Sequence, residues 1–105
     1  MYDENKIWYL LMHSDKAVDR AMVAIYNRQT AFEKSAHTTI GVGFSGADVR
    51  LGTYYAKWVL SGKQLTGGHL MKARNMAVKY RKQLTEIANS KVVQADMEER
   101  LAIQE

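Results

Sequence analysis

The chain has 105 residues, the size of a single domain, and it contains no cysteine and no proline. Disulfides, thiolate chemistry and zinc sites that need sulfur are therefore excluded, and the fold must rest on side-chain packing. The formal net charge is +4, and most of the excess lies in residues 63–91, where seven Lys/Arg stand against one Asp/Glu. Such a concentration is typical of a protein with an anionic partner, although a solvated lysine-rich helix face gives the same pattern.

The first 34 residues predict two helices. Residues 4–12 are too short an apolar run for periodicity to separate helix from strand, but helix is favoured because no partner strand is evident. Ser14 is the expected N-cap of a second helix that ends near residue 34. The apolar residues 7–12 are too few, and wrongly flanked, for a signal peptide or a membrane span, so a cytoplasmic location is expected.

Residues 35–46 predict a glycine-rich loop before the third helix. Gly41, Gly43 and Gly46 have the spacing of a dinucleotide-binding turn, but the buried strand and the later acidic residue that this motif requires are missing. We therefore favour a packing turn in which Phe44 enters the core and Ser45 caps the next helix.

The third helix, expected to follow Ser45 and to end at Gly62, is apolar on two sides. One strip contains Leu51, Tyr54, Tyr55 and Trp58, and the other contains Val49, Ala56 and Leu60. A helix of this kind is usually buried between neighbours, so these aromatic side chains are expected in the core.

Residues 65–88 predict one long amphipathic helix with Thr66 as its N-cap. Its buried stripe is expected to consist of Leu70, Ala73, Ala77, Tyr80, Leu84 and Ile87. The positive end of this helix is a place where an anion could bind. Residues 90–105 are acidic overall and predict a peripheral helix or a mobile tail.

Few residues suggest catalysis. His13, His37 and His69 lie in three separate segments without metal-ligand spacing. Glu33 and Asp48 could approach each other as a carboxylate pair, but ordinary helix-end charges explain them better. We predict no enzyme activity, no catalytic residue, no metal and no cofactor.

The third helix, its glycine-containing turn and the basic helix have the order of a helix-turn-helix motif, although any all-helical protein with short loops produces such a pair. The residues predicted to contact nucleic acid are Thr66, His69, Lys72, Arg74, Asn75, Lys79, Arg81 and Lys82.

Three segments carry a resemblance: RQTAFEK (residues 28–34), GVGFSGAD (residues 41–48) and LTGGHLMKARNMAVKYRKQL (residues 65–84). Together they resemble small hypothetical proteins of bacteriophages, and the last is similar to a module that accompanies phage and bacterial helicase-like proteins. The helicase catalytic motifs are absent. The resemblance implies an accessory protein that works near DNA transactions or host defence, in the cytoplasm of a bacterial host.

The sequence thus predicts a single all-α domain, residues 1–105, built as a compact bundle of four or five helices. The favoured function is non-specific nucleic-acid binding through phosphate contacts. The alternative is a protein-interaction module, an inhibitor or adaptor that docks on a host or phage protein, where the basic helix would meet an acidic protein surface. Trp8, Tyr9 or the C-terminal segment could equally cover the domain's own core or the second subunit of a homodimer.

Overall fold

A long helix, α2 (Asp15–Ser35), forms the centre of the molecule, and the other helices pack around it. The computed structural model describes residues 1–35 and 43–91, with side chains described for residues 1–29 and 43–91. Its helices are α1 (Glu4–His13), α2, α3 (Val49–Leu60), α4 (Gly67–Lys79) and α5, the helical residues 81–91. No strand occurs within these ranges, and the predicted all-α bundle is confirmed.

The first two helices begin at polar caps. The Asp3 carboxylate accepts the Lys6 N–H at 2.7 Å, which satisfies one of the free N–H groups that open α1. The Ser14 hydroxyl oxygen accepts the Ala17 N–H at 3.1 Å and does the same for α2. The helical interpretation of residues 4–12 and the Ser14 cap are both confirmed.

The core lies where α2 meets the later helices. Val18, Met22 and Ile25 of α2 are fully buried, as are Tyr55 and Ala56 of α3. Of the predicted stripe of the basic segment, four members are buried and the other two, Leu70 and Ile87, are half-buried, so this stripe does face the core. In the described ranges no helix is long and apolar enough to cross a membrane.

The described end of the glycine-rich segment is fixed by two side-chain amides. The Gln83 amide bonds both the N–H and the carbonyl of Gly43, and the Gln29 amide oxygen accepts the Phe44 N–H at 3.1 Å. Gly43 has a φ of +78°, and a Cβ there would lie 2.3 Å from the Cβ of Gln29. Packing and backbone conformation thus require glycine at position 43. Phe44 is buried, as predicted. Gly41 lies outside the described residues.

The predicted cap of α3 is wrong. The helix starts at Val49 after a turn, and its N-cap is Asp48, not Ser45. Ser45 instead donates its backbone N–H to the Tyr80 hydroxyl at 2.8 Å, so it ties the turn to the end of α4. The stop at Gly62 is confirmed, since α3 ends at Leu60 and Gly62 takes a φ of +92°.

The expectation that α3 is buried on two sides is also wrong. Gly52, Tyr55 and Ala56 form its buried face, whereas Tyr54 is 55% exposed and Trp58 36% exposed. The physical reason is that α3 lies on the outside of α2 and α4, so that one face meets the bundle. The same exposed face carries Leu51.

The basic segment is not one continuous helix. α4 ends at Lys79, and the Tyr80 N–H bonds the carbonyl of Ala77, three residues earlier, before α5 continues. The Tyr80 hydroxyl donates to the Asp48 carboxylate at 2.6 Å, and its ring packs edge-on against Phe44. These contacts hold Tyr80 against the start of α3, and the helix is interrupted at that residue.

Candidate nucleic-acid interface

The chain has no acidic residue between Asp48 and Glu86, a stretch that contains α3, α4 and the start of α5. The same stretch holds eight basic residues, namely Arg50, Lys57, Lys63, Lys72, Arg74, Lys79, Arg81 and Lys82. Which of them can meet a ligand depends on whether carboxylates from other helices already neutralise them.

The Arg74 side chain has a structural role, because its contacts are with other helices of the protein. Its Nε donates to the Leu11 carbonyl at 2.7 Å, at the carboxyl end of α1. Its Nη2 pairs with the Asp15 carboxylate at the start of α2. The side chain is 19% exposed. Arg74 therefore joins α1, α2 and α4, and its predicted role in phosphate binding is not supported by this geometry.

Lys79 pairs with Asp48, with Nζ 2.8 Å from one carboxylate oxygen. Burial by itself raises the pKa of Asp48, but the hydrogen bonds from Lys79 and Tyr80 and the charge of Lys79 outweigh it, so this pKa lies below its ordinary value. The pKa of Lys79 is raised, chiefly by its hydrogen bond to Asp48. The pair is mutually stabilised and joins the end of α4 to the start of α3.

Arg81 is held more loosely. Its Nε lies 3.6 Å from a Glu4 carboxylate oxygen, and both side chains are about half exposed, so solvent screens most of this interaction. Asn75 and Lys82 are exposed as predicted. Lys82 follows the interruption at Tyr80 and has no ion-pair partner among the described residues.

Thr66 is the N-cap residue of α4, as predicted, but its hydroxyl makes no capping hydrogen bond. The neighbouring Leu65 N–H points to the Asp19 carboxylate at 3.4 Å, and Asp15 and Asp19 line the same cavity as Thr66 and Gly67. Burial raises the pKa of Asp19, and its hydrogen bond from Leu65 offsets only part of this. The Asp19 carboxylate thus lies at the positive end of α4, where it takes the place of the anion predicted there, and Lys16 lines the same cavity.

His69 joins α4 to α3. Its Nδ1 lies 3.1 Å from the hydroxyl of the buried Tyr55. Since Asp48 contacts Lys79 and Tyr55 contacts His69, α3 and α4 run antiparallel. Lys72 follows His69 by about one turn and precedes Lys79 by about two, so it lies on the side of α4 that faces α3. It is exposed and has no carboxylate partner in the described part of the chain.

Four exposed basic residues therefore surround the outer face of α3, and we call them the basic surface: Arg50, Lys57, Lys63 and Lys72. Within the described ranges, none of the four forms an ion pair with a carboxylate. Arg50 and Lys57 lie on α3 itself, Lys63 follows its end, and Lys72 faces it from α4.

An aromatic pair lies in the middle of the basic surface. The rings of Tyr54 and Trp58 are stacked, with centroids 6.4 Å apart and planes inclined by 26°. Lys63 Nζ lies 4.3 Å from the Trp58 ring centroid. The sequence interpretation assigned these rings to the core and so missed them. The spacing of Arg50, Tyr54 and Lys57, which lie on one side of the helix, was the available signal.

The other candidate groups do not come together in the described part of the structure. Glu33 and His37 lie outside the described side chains, and so does the predicted contact of Glu33 with Asp48. His13 packs against Tyr9, with ring centroids 4.2 Å apart. No cluster of three or more His, Asp or Glu among the described residues could hold a metal ion.

Comparison of the chain with protein-family models, curated proteins and solved structures gives no match. The resemblance to bacteriophage proteins therefore stays a prediction from the sequence.

Proposed function

We propose that the protein is a small phage-type accessory protein that binds nucleic acid through phosphate contacts in the cytoplasm of a bacterial host. The observation that carries this proposal is the basic surface, four exposed cations in a stretch that has no acidic residue between Asp48 and Glu86. Lys82, beyond Tyr80, adds a fifth exposed cation that has no carboxylate partner among the described residues. The setting in a phage-infected cell rests on the sequence resemblance.

That these cations lack a carboxylate partner within the described ranges matters more than their number. A lysine that already faces a carboxylate gains little from a phosphate, because it must give up one partner for the other. Arg50, Lys57, Lys63 and Lys72 have no such carboxylate partner in the described chain, so each can neutralise a phosphate, and the counterions condensed on the nucleic acid are then released into solution. Such contacts give affinity that falls steeply with salt, and they read little sequence.

The test is the salt dependence of the dissociation constant. We expect the wild-type protein to bind labelled single- and double-stranded oligonucleotides at low salt. Lys57→Gln/Lys72→Gln removes two phosphate contacts, so the slope of log K against log salt should become shallower by about two.

The matched control is Lys16→Gln/Arg20→Gln, which removes the same charge from exposed positions on α2. This control should keep the wild-type slope. The proposal fails if the wild-type protein binds no nucleic acid at low salt, or if both double variants change the slope equally.

The alternative, a protein-interaction module, is favoured by a different surface. Trp8, Tyr9 and Met12 of α1 are 44%, 57% and 41% exposed, so they do not cover the domain's own core. A partner with an apolar surface would fit them. Capture of one defined protein from a nuclease-treated lysate, abolished by Trp8→Ala/Tyr9→Ala and unaffected by Lys57→Gln/Lys72→Gln, would support this function in place of nucleic-acid binding.

A further inference from the structure

The basic surface contains a feature that phosphate binding does not require, the exposed ring pair of Tyr54 and Trp58. We propose that these rings stack with the bases of single-stranded nucleic acid while the surrounding cations hold its phosphates. This inference rests on the proposed function and adds the class of nucleic acid to it. The shared chemistry is that of single-stranded DNA and RNA, since both present free base faces.

The rings are held in place before any ligand arrives. Trp58 donates its Nε1–H to the Gln64 carbonyl at 3.1 Å, which fixes the orientation of the indole. Tyr54 is held between Trp58 and Tyr55, whose ring centroids lie 6.4 and 6.0 Å away. Aromatic side chains fixed in this way lose little conformational freedom when a base packs on them.

The charges around the rings favour a polyanion over an apolar partner. Lys63 lies against the Trp58 ring, and Arg50 and Lys57 each lie about one helical turn or less from Tyr54. A protein partner would have to leave these cations solvated or supply acidic groups for them. A single strand supplies base faces for the rings and a phosphate for each nearby cation.

A duplex cannot use the rings in the same way, because its base faces already stack on one another. It can still bind the cations of the basic surface through its phosphates. The structure therefore predicts that the rings add affinity for single strands and none for duplexes.

The aromatic side chains of α1 provide an internal comparison. Trp8 and Tyr9 are as exposed as the α3 pair. Glu4 lies one turn before Trp8 on α1, and the basic surface is on other helices. We therefore expect no stacking site on α1, and Tyr9→Ala, which removes the same residue type at nearly the same exposure, is the matched control for Tyr54→Ala.

The experiment compares single-stranded DNA, single-stranded RNA and duplex DNA of one length by fluorescence anisotropy. Tyr54→Ala should weaken single-strand binding by about 5- to 150-fold, the loss expected for one stacked base. Duplex binding and the salt slope should not change, since no phosphate contact is lost. Tyr54→Phe keeps the ring and should bind like the wild type, as should the control Tyr9→Ala.

A second readout does not depend on a substitution at the site. In a Trp8→Phe background, Trp58 is the remaining tryptophan, and single strands should quench its fluorescence while duplexes do not. Failure of the wild type to bind any nucleic acid overturns the proposed function as well. Normal binding with Tyr54→Ala unaffected, or equally impaired for single strands and duplexes, overturns the stacking inference alone.

Discussion

At the scale of single residues, Asp48 links α3 to α4 by accepting from Tyr80 and Lys79. Its pKa is lowered from the ordinary value of 3.8, so the stabilisation is fully present above that pH and is lost as pH falls through the folded-state pKa. Asp48→Asn weakens these contacts, and we expect it to lower the free energy of unfolding at pH 7. The loss should be only about 1 kcal/mol, because solvent screens the charge of the exposed Lys79.

Chemical denaturation at pH 7 and at pH 3 measures this effect. The difference between Asp48→Asn and the wild type should shrink at pH 3, because this pH lies below the ordinary pKa of 3.8 and the unfolded chain then binds a proton at Asp48 more readily than the folded protein does. An equal loss of stability at the two pH values would mean that the amide disturbs packing and that the charge is unimportant.

The pKa of Asp19 is shifted in the opposite direction to that of Asp48. Burial raises its pKa above 3.8, so its contribution to stability is most favourable at low pH and becomes less favourable as pH rises through the folded-state pKa. Asp19→Asn keeps an oxygen that can accept the Leu65 N–H and removes the charge. The variant should have a higher melting temperature than the wild type at pH 7.

Well below pH 3.8 the two proteins should melt at nearly the same temperature, since Asp19 is then largely neutral in both the folded and the unfolded protein. A lower melting temperature of Asp19→Asn at pH 7 would contradict this account. It would indicate that the negative charge is needed at the positive end of α4.

At the scale of helices, the contact between Phe44 and α3 depends on a glycine. A Cβ at Gly52 would lie 2.5 Å from the Phe44 ring, whereas one at Gly68 of α4 would meet nothing within 4 Å. Alanine is the better helix former by about 1 kcal/mol. Gly52→Ala should nevertheless destabilise the protein by about 1–3 kcal/mol through overpacking, and Gly68→Ala should be neutral or stabilising.

The measurement is urea denaturation of both alanine variants, of Phe44→Leu, and of Gly52→Ala combined with Phe44→Leu. The double variant should lose less stability than the two single losses added together, because the smaller side chain makes room for the new methyl group. Full additivity would show that Phe44 and Gly52 do not oppose each other.

Most helix ends could be predicted from local sequence because they depend on local chemistry. The cap at Ser14 and the left-handed Gly62 each act within a few residues of their own position, and both were predicted correctly. The interruption at Tyr80 could not be predicted in this way. It coincides with contacts to Phe44 and Asp48, residues far away in sequence, and the apolar period of residues 65–88 continues through it unchanged.

At the scale of the whole molecule, the sequence predicted where the positive charge lies but not which cations are available. Arg74 and Lys79 find their partners on other helices, 59 and 31 residues away. Helical periodicity could assign each side chain to a face of its own helix. It could not indicate whether that face meets a carboxylate, a neighbouring helix or solvent, and so it placed Tyr54 and Trp58 in the core.

Cations that pair within the fold and cations of the basic surface should be distinguishable when stability and binding are measured on the same variants. Arg74 satisfies the Leu11 carbonyl and pairs with Asp15. Arg74→Gln should therefore lower the free energy of unfolding, by about 1–3 kcal/mol, with little effect on the salt slope. Lys57 and Lys72 have no such partners in the described chain, and removal of their mutual and neighbouring repulsion should leave stability within about 0.5 kcal/mol of the wild type or raise it.

Nucleic acid should then stabilise the two kinds of variant to different extents. A single strand at 100 times its dissociation constant stabilises a binding protein by about 2.7 kcal/mol. The wild type and Arg74→Gln should both gain this stabilisation, and Lys57→Gln/Lys72→Gln should gain clearly less at the same ligand concentration. Thermal melts with and without the oligonucleotide measure both quantities. If Arg74→Gln lost the ligand-induced gain while Lys57→Gln/Lys72→Gln kept it, the basic surface would have been placed on the wrong residues.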